Sequence, residues 1–303
     1  MTVYTRALDD PACADPAVAG GKAAGLAGLA RAGLPVSPGF VVTVPAHRAF
    51  VAARGTVPAA VAEAVRQSYT RLGGGKDIAV AVRSSGTTED GTTASLAGRF
   101  DTWLDVTGAE AVLDHVRRCW TGTARSPGIG MGVVVQRMVR ARAAGVMFTV
   151  SPVTGDRSRI VVEAGWGLGL AVVGGEITPD RWTVDKIGLT VLERVAGDKR
   201  IEYRRGHLAV AVGGARRARL CLSDDEVLEL AALGKRVERE EGRAQDVEFA
   251  FGDDGLVLLQ RRPETVWSNR ARPPRFAAGQ GVTAWIGAAV TAGPTQQSPG
   301  GLT

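Results

Sequence analysis

From residue 133 onward the chain is a succession of short β-prone runs, VVVQRMV, GVMFTV, RIVVEAG, RWTVD, LTVLERV, RIEYRR and HLAVAV, with turn residues between them. Runs of this length at such short intervals predict a largely antiparallel sheet. One long helix interrupts them over 223–241. Ser223 stands at its N-cap and Asp224, Asp225 and Glu226 fill its first turn, where oxygen acceptors and negative charge suit the free N–H groups. DVEFAF and LVLLQRR then flank GDDG and read as a hairpin.

The first part of the chain has another texture. GGKAAGLAGLARAG, residues 20–33, predicts a small-residue helix that starts at a glycine pair and stops at Gly33. A strand over 40–44, helices over 45–53 and 58–71, strands over 78–83 and 100–106 and an amphipathic helix over 109–121 follow. At 303 residues the chain exceeds the usual size of one core. The reading is an α+β protein in two lobes, a mixed lobe over 1–122 and a largely antiparallel lobe over 123–268. Residues 269–303, rich in Ala, Gly, Pro, Gln and Thr, read as tail or linker.

Composition narrows the setting. A hydrophobic content of 45% excludes wholesale disorder. No run reaches the roughly 18 to 20 apolar residues of a membrane span, and MTVYTRALDDP has neither the basic nor the apolar region of a signal peptide, so a cytoplasmic location is expected. Cys13, Cys119 and Cys221 are odd in number and far apart, which reads as reduced structural thiols. The net charge of +6 is accounted for by residues 194–219, where Arg194, Lys199, Arg200, Arg204, Arg205, Arg216, Arg217 and Arg219 face only Asp198 and Glu202. An exposed, solvated hairpin edge is the expectation there, and without a nucleic-acid-binding motif no nucleic-acid partner is predicted.

Four features carry chemistry. In VRSSGTTEDGTTASLAGRF a strand delivers Arg83 into Gly, Ser and Thr, whose backbone N–H groups and hydroxyls suit close approach to phosphate oxygens, though small polar residues also make ordinary loops. Lys22 stands at a helix start, where a cation is electrostatically misplaced unless it helps to hold an anion; a solvated lysine is the alternative. Strand alternation puts Asp246 and Glu248 on one face, and likewise Gln260 and Arg262. Across GDDG, carboxylate and amide oxygens could meet as hard ligands for magnesium beside a phosphate-binding guanidinium, or Glu248 and Arg262 could form a surface ion pair. Glu163 enters a glycine-rich turn, where it could meet a ribose or adenine edge or merely precede a tight turn packed by Trp166. Neither a Walker A loop nor G-x-G-x-x-G is present in the required frame.

Taken in order, GGKAAGLAGLARAGLPVSPGFVVT, VRSSGTTEDGTTASLAGRFDTWLDV, GVVVQRMV, GVMFTVSPVTGD, EAGWGLG with GGEITPDRWTVDK, and DVEFAF with LLQRRPET resemble the nucleotide-binding domain of the phosphoenolpyruvate synthase and pyruvate phosphate dikinase family, found also in rifampicin phosphotransferases and phenylphosphate synthases. The resemblance runs from about residue 15 to 267. It implies a two-lobed ATP-grasp fold holding ATP and Mg2+ between the lobes. It puts Lys22 and Arg83 on the ATP phosphates and makes residues 86–98 a flexible cover over them, with Thr88, Ser95 and Gly98 among the nucleotide contacts. Glu248 and Gln260 fall on the metal ligands, Asp246 on an acidic neighbour, and Arg262 on a phosphate-binding arginine; Arg83, Arg262 and Asp246 are the implied catalytic set. Gln136 to Val139 match the segment along the adenine, and Glu163 a nucleotide-contacting carboxylate. Where relatives often read GLGE, this chain has Leu170.

The family passes its phosphoryl group through a histidine on a mobile carrier domain. His47, His115 and His207 lie in no such motif, and His115 and His207 read as structural or solvated. The expected protein is therefore the ATP-binding subunit of a split dikinase-like phosphotransferase, with a histidine-carrier domain and an acceptor-substrate domain on separate chains. A non-catalytic nucleotide-binding module, or a fragment of a longer phosphotransferase, is the alternative.

Overall fold

The computed structural model describes residues 2–87, 102–123 and 130–267. The valine-rich runs pair into two separate antiparallel sheets. The first contains β1 (Thr5–Ala7), β2 (Gly39–Val42), β3 (Ala79–Gly86), β4 (Thr102–Thr107) and β5 (Met131–Arg137), in the order β1-β2-β5-β3-β4. Around it are α1 (Pro16–Ala19), α2 (Gly21–Arg31), α3 (Val44–Ala52), α4 (Ala59–Gly73) and α5 (Ala109–Thr123). The second sheet has the order β13-β12-β6-β7-β8-β9, from β6 (Ala141–Phe148), β7 (Arg159–Trp166), β8 (Asp180–Asp185), β9 (Thr190–Val195), β12 (Gln245–Gly252) and β13 (Gly255–Pro263). A small hairpin, β10 (Ile201–Arg204) and β11 (Leu208–Ala211), and helices α6 (Leu170–Val173), α7 (Gly214–Arg217) and α8 (Asp224–Glu241) complete it.

Alternation in each strand divides the sheet faces. Phe40, Val42, Val80, Val82, Val133 and Val135 point into a core closed by Phe50, Val61, Val65, Tyr69, Val116 and Trp120 of α3, α4 and α5. In the second sheet Met147, Ile160, Val162, Trp182, Val247 and Phe249 pack with Val227, Leu230, Ala231 and Val237 of α8. Ser223 accepts from the Glu226 N–H at 3.2 Å while the Glu226 carboxylate accepts from the Ser223 N–H at 2.9 Å, a capping box that starts α8, and Gly242 at φ 66° ends it.

Helix α2 joins the two lobes. Its Ala23, Leu26, Ala27 and Leu29 share one apolar cluster with Val41 and Val134 of the first sheet and Leu256 and Leu258 of β13. Small residues let the backbones come close: a Cβ at Gly25 would lie 3.4 Å from Cγ of Arg261. Leu26, with no exposed surface, contributes about 2 kcal/mol through burial. At the helix start Gly20 takes φ 81°, and a Cβ there would collide with the Ser85 carbonyl. Beyond the helix, the Leu258 N–H donates to the Pro35 carbonyl at 2.7 Å.

The expected α+β architecture with an antiparallel second lobe is present, and the first sheet is antiparallel as well. Strand pairing carries that first sheet beyond residue 122, through β5. Two local expectations change. Ser84 and Ser85 are buried strand rather than loop, because Ser85 Oγ accepts from the Ala23 N–H at 3.0 Å and so caps α2. The basic stretch does form a largely exposed hairpin, but its cations have more acid partners than Asp198 and Glu202: Arg194 pairs with Asp224, Lys199 with Asp180, Arg204 and Arg216 with Glu202, Arg205 with Asp105, and Arg217 with Asp198. The three cysteines are buried and none forms a disulfide among the described residues; burial pushes the Cys13 thiol up to about 11. Among the described residues no helix is long and apolar enough to cross a membrane.

Candidate functional site

A cavity of about 690 Å³ opens between the uncovered face of the second sheet and the first lobe, a volume in the range of roughly 300–1,000 Å³ typical of small-molecule sites. Lys22, Arg83, Gln136, Val139, Asp246, Glu248, Gln260 and Arg262, eight of the side chains singled out in the sequence, line it together. Thr88, Ser95 and Gly98 lie outside the described residues.

Each side chain arrives there for a local reason. Lys22, 9% exposed, stands in the first turn of α2, and its Nζ donates to the Ser84 carbonyl at 3.3 Å. Arg83 projects from β3 opposite the β12–β13 hairpin, where its Nη1 lies 3.4 Å from both Gln260 Oε1 and the Leu259 carbonyl and 3.6 Å from Glu248 Oε2. Glu248 and Gln260 are direct cross-strand partners, as are Asp246 and Arg262. The hairpin therefore offers two oxygen donors side by side, with Arg262 Nε 3.3 Å from Asp246 Oδ2 in the next row. Val247 and Phe249 turn the other way into the core, which fixes the register.

The cluster is incompletely satisfied. Among the described residues, buried Nε of Arg83 and Oδ1 of Asp246 have no hydrogen-bond partner. Buried polar atoms normally find one, so these two side chains, which line the cavity, keep hydrogen-bonding capacity beside it that the protein does not use. Burial raises the Asp246 carboxyl above its ordinary range, with Glu264 adding to the rise and Arg262 opposing it.

The opposite wall is apolar. Leu104 of β4, Met138 and Val139 of the connection between the sheets, and Leu168, Leu170 and Val173 around α6 line it. Gln136, 3% exposed, donates from Nε2 to the Ser37 carbonyl at 3.4 Å. Glu163 is not part of the lining. It lies in the same cross-strand row as Glu248, through Val146, and its carboxylate accepts from Arg181 at 2.7 Å. His47 is a core residue, 7% exposed, whose Nδ1 faces the Met131 N–H at 3.4 Å and whose ring lies 5.9 Å from Trp120; burial lowers its basicity. His115 holds the Ala111 carbonyl at 2.7 Å on α5, and no described histidine lines the cavity. Sequence reasoning missed Ser85 and Leu168; the second serine of RSSG was the available signal for the first, and nothing local marks the second.

A hard divalent cation fits this donor set. The Glu248 carboxylate and the Gln260 amide oxygen are adjacent, and among the described residues no group of three His, Cys, Asp or Glu gathers to enclose a metal completely. Two protein oxygens with the remaining positions left to ligand oxygens and water is the habit of Mg2+ at phosphate sites. The fold and site thus define a two-lobed protein with a cleft that is basic and oxygen-rich at one end and apolar at the other. Residues 52–278 match the family described as pyruvate phosphate dikinase, AMP/ATP-binding domain. The chain belongs to that family, as the ordered motifs imply. It is 37% identical, over 88% of its length, to a probable phosphoenolpyruvate synthase of Methanothermobacter thermautotrophicus. Identity is 36% over 86% of the chain to the phosphoenolpyruvate synthase of Aeropyrum pernix, and 38% over 85% to a rifampicin phosphotransferase of a Streptomyces species. The chain spans 46%, 42% and 35% of the lengths of these three relatives.

Proposed function

We propose that the chain is the ATP-binding part of a dikinase-like phosphotransferase, which with Mg2+ phosphorylates a histidine on a separate carrier protein and forms AMP. The observation that supports this most is the convergence of Lys22, Arg83, Glu248, Gln260 and Arg262 from both lobes on one cavity, in a chain of this family. The triphosphate would lie at the basic end, with the base against Leu168, Leu170 and Val139. When bound, Mg2+ held by Glu248 and Gln260 supplies charge neutralisation at the phosphate oxygens.

This chain's own residues do the rest. Lys22, Arg83 and Arg262 bring positive charge to the phosphates, and Arg83 exchanges its long contacts to Glu248 and Gln260 for phosphate oxygens. Asp246 keeps Arg262 directed along the hairpin. The β-phosphoryl group passes to an imidazole nitrogen of the carrier, and the γ-phosphoryl group to water or to phosphate. The products are AMP, phosphohistidine and either phosphate or pyrophosphate. An in-line nucleophile has to stand roughly 3 to 3.5 Å from the phosphorus it attacks, and no described histidine borders the cavity, which supports an acceptor supplied from outside the described residues.

The test is a nucleotide assay on the purified chain. It should bind ATP in a Mg2+-dependent manner, release almost no AMP alone, and form AMP once a histidine-carrier protein of the same family is added. Equal ATP affinity with and without Mg2+ would overturn the metal assignment, and vigorous AMP release by the chain alone would overturn the partner requirement.

A further inference from the structure

Strand β4 carries a bulge. Val80 faces Val106 and Val82 faces Trp103, so Leu104 and Asp105 together oppose Ala81, and Asp105 takes φ 56°. A bulge re-aims side chains, and aspartate is among the few residues that tolerate this left-handed conformation. Here Leu104 enters the cavity described above, whereas Asp105 enters a second cavity of about 810 Å³. Arg137, Met138, Val139 and Ala141 line both, so the connection between the two sheets forms the partition.

In that second cavity Asp105 reaches from the first lobe to the tip of the β10–β11 hairpin of the second. Its carboxylate is 10% exposed; Oδ2 accepts from the Gly206 N–H at 2.6 Å and Oδ1 lies 3.5 Å from Arg205 Nε. Strand β10 is held again just before the tip. Leu168 N–H donates to the Tyr203 carbonyl at 2.9 Å, and Gly167, at φ 71°, leaves no room for a Cβ against that carbonyl. Glu202, 2% exposed, accepts from Arg204 at 2.6 Å and from Arg216 at 2.8 Å, and the Arg216 guanidinium lies 4.4 Å over Trp166. A short chain of contacts therefore runs from Asp105 through Gly206 and Tyr203 to Leu168, which is itself in the nucleotide-side cavity wall. The arginines at the hairpin tip each face an acid of the chain, Arg204 the buried Glu202 and Arg205 the Asp105 carboxylate.

We propose that Asp105 is a positioning residue for nucleotide binding: its carboxylate clasps the hairpin tip and holds the two lobes at the separation at which the cavity retains its ligand. The proposal rests on the ATP reading above. A molecule without the clasp spends less time in the competent arrangement, and apparent affinity falls in proportion to that fraction.

The experiment uses the full chain with a fluorescent ATP analogue and Mg2+, measuring affinity and dissociation rate, together with hydrogen exchange of residues 205–208 in the absence of nucleotide. Asp105→Gly keeps the backbone conformation without strain and removes only the carboxylate. Loss of a buried charge-assisted hydrogen bond should weaken binding by about tenfold or more, through faster dissociation. Asp105→Asn retains an acceptor for the Gly206 N–H and should keep most of the wild-type affinity, and Arg205→Ala should change it by less than about threefold. Exchange at 205–208 should accelerate in Asp105→Gly and stay near wild type in Asp105→Asn. Wild-type affinity and dissociation in Asp105→Gly would overturn the proposal, as would unchanged exchange at the hairpin tip. If the wild-type chain binds no ATP, the nucleotide reading falls instead, and the exchange arm still decides whether the clasp exists.

Discussion

Asp180 with Lys199, and Arg83 with Glu248, are both polar clusters within the fold, and they are finished to different degrees. Asp180 and Lys199 have no exposed surface. Asp180 receives Lys199 Nζ and the Gly197 N–H on one oxygen and the Cys221 N–H on the other, and Lys199 also donates to the Gly197 carbonyl. At the cavity, Arg83 holds its neighbours at 3.4 to 3.6 Å, and among the described residues its Nε has none. A cluster closed on itself by short protein contacts fixes structure, and one with long contacts and unmatched polar atoms beside a cavity keeps capacity for a ligand.

Substitutions can break that contrast. Lys199→Met should have the largest effect, because it leaves the buried Asp180 charge without its cation. A loss of about 3–5 kcal/mol is expected, read as a fall of the melting midpoint by roughly 10 °C or more. Glu248→Ala and Arg83→Ala should do the reverse: free-protein stability within about 1 kcal/mol of wild type, and Mg2+-dependent ATP affinity, measured calorimetrically, down at least about tenfold. A stability loss there equal to that of Lys199→Met would erase the distinction.

Asp246→Asn tests the open cluster by pH. Burial raises the Asp246 pKa, so the native state holds the proton more tightly than the unfolded chain. Its contribution to stability is lost as pH rises from the ordinary carboxylate range through the folded pKa, and remains lost above it. The asparagine variant should therefore melt about 2 °C higher than wild type at neutral pH, with the difference vanishing toward about pH 4. A constant difference at all pH values would place the effect elsewhere. Ser85→Ala removes one helix-capping acceptor and should cost about 1 kcal/mol, the smallest change, with a modest weakening of ATP binding through displacement of Lys22.

Much of the site was legible in the sequence because strand alternation is a strong local rule. DVEFAF puts Asp246 and Glu248 on one face of β12 and LLQRR puts Gln260 and Arg262 on one face of β13, but a bulge at Leu259, where Phe249 faces Leu258 and Glu248 faces Gln260, is what brings the two pairs to the same cavity, and the bulge has no local sequence mark. Lys22 was legible as a cation at the wrong end of a helix. At 194–219 the exposed hairpin was legible and the partners of its cations were not: they include Asp105, Asp180 and Asp224 as well as local acids, and pairing over such separations leaves no local pattern. The strand character of Ser84 and Ser85 was hidden because their composition is that of a turn, and burial against α2 overrides it.

Helix α2 works as a gauge block between the lobes. Its faces toward the first sheet and β13 are mostly alanine and glycine, with Leu26 and Leu29 as the two large buried side chains, so much of its thickness is that of a bare backbone. A Cβ at Gly25 would already touch Arg261, so a side chain larger than alanine there would press on β13, whose Gln260 faces Arg83. The width of the ligand slot is thus set by the smallness of residues that never touch the ligand.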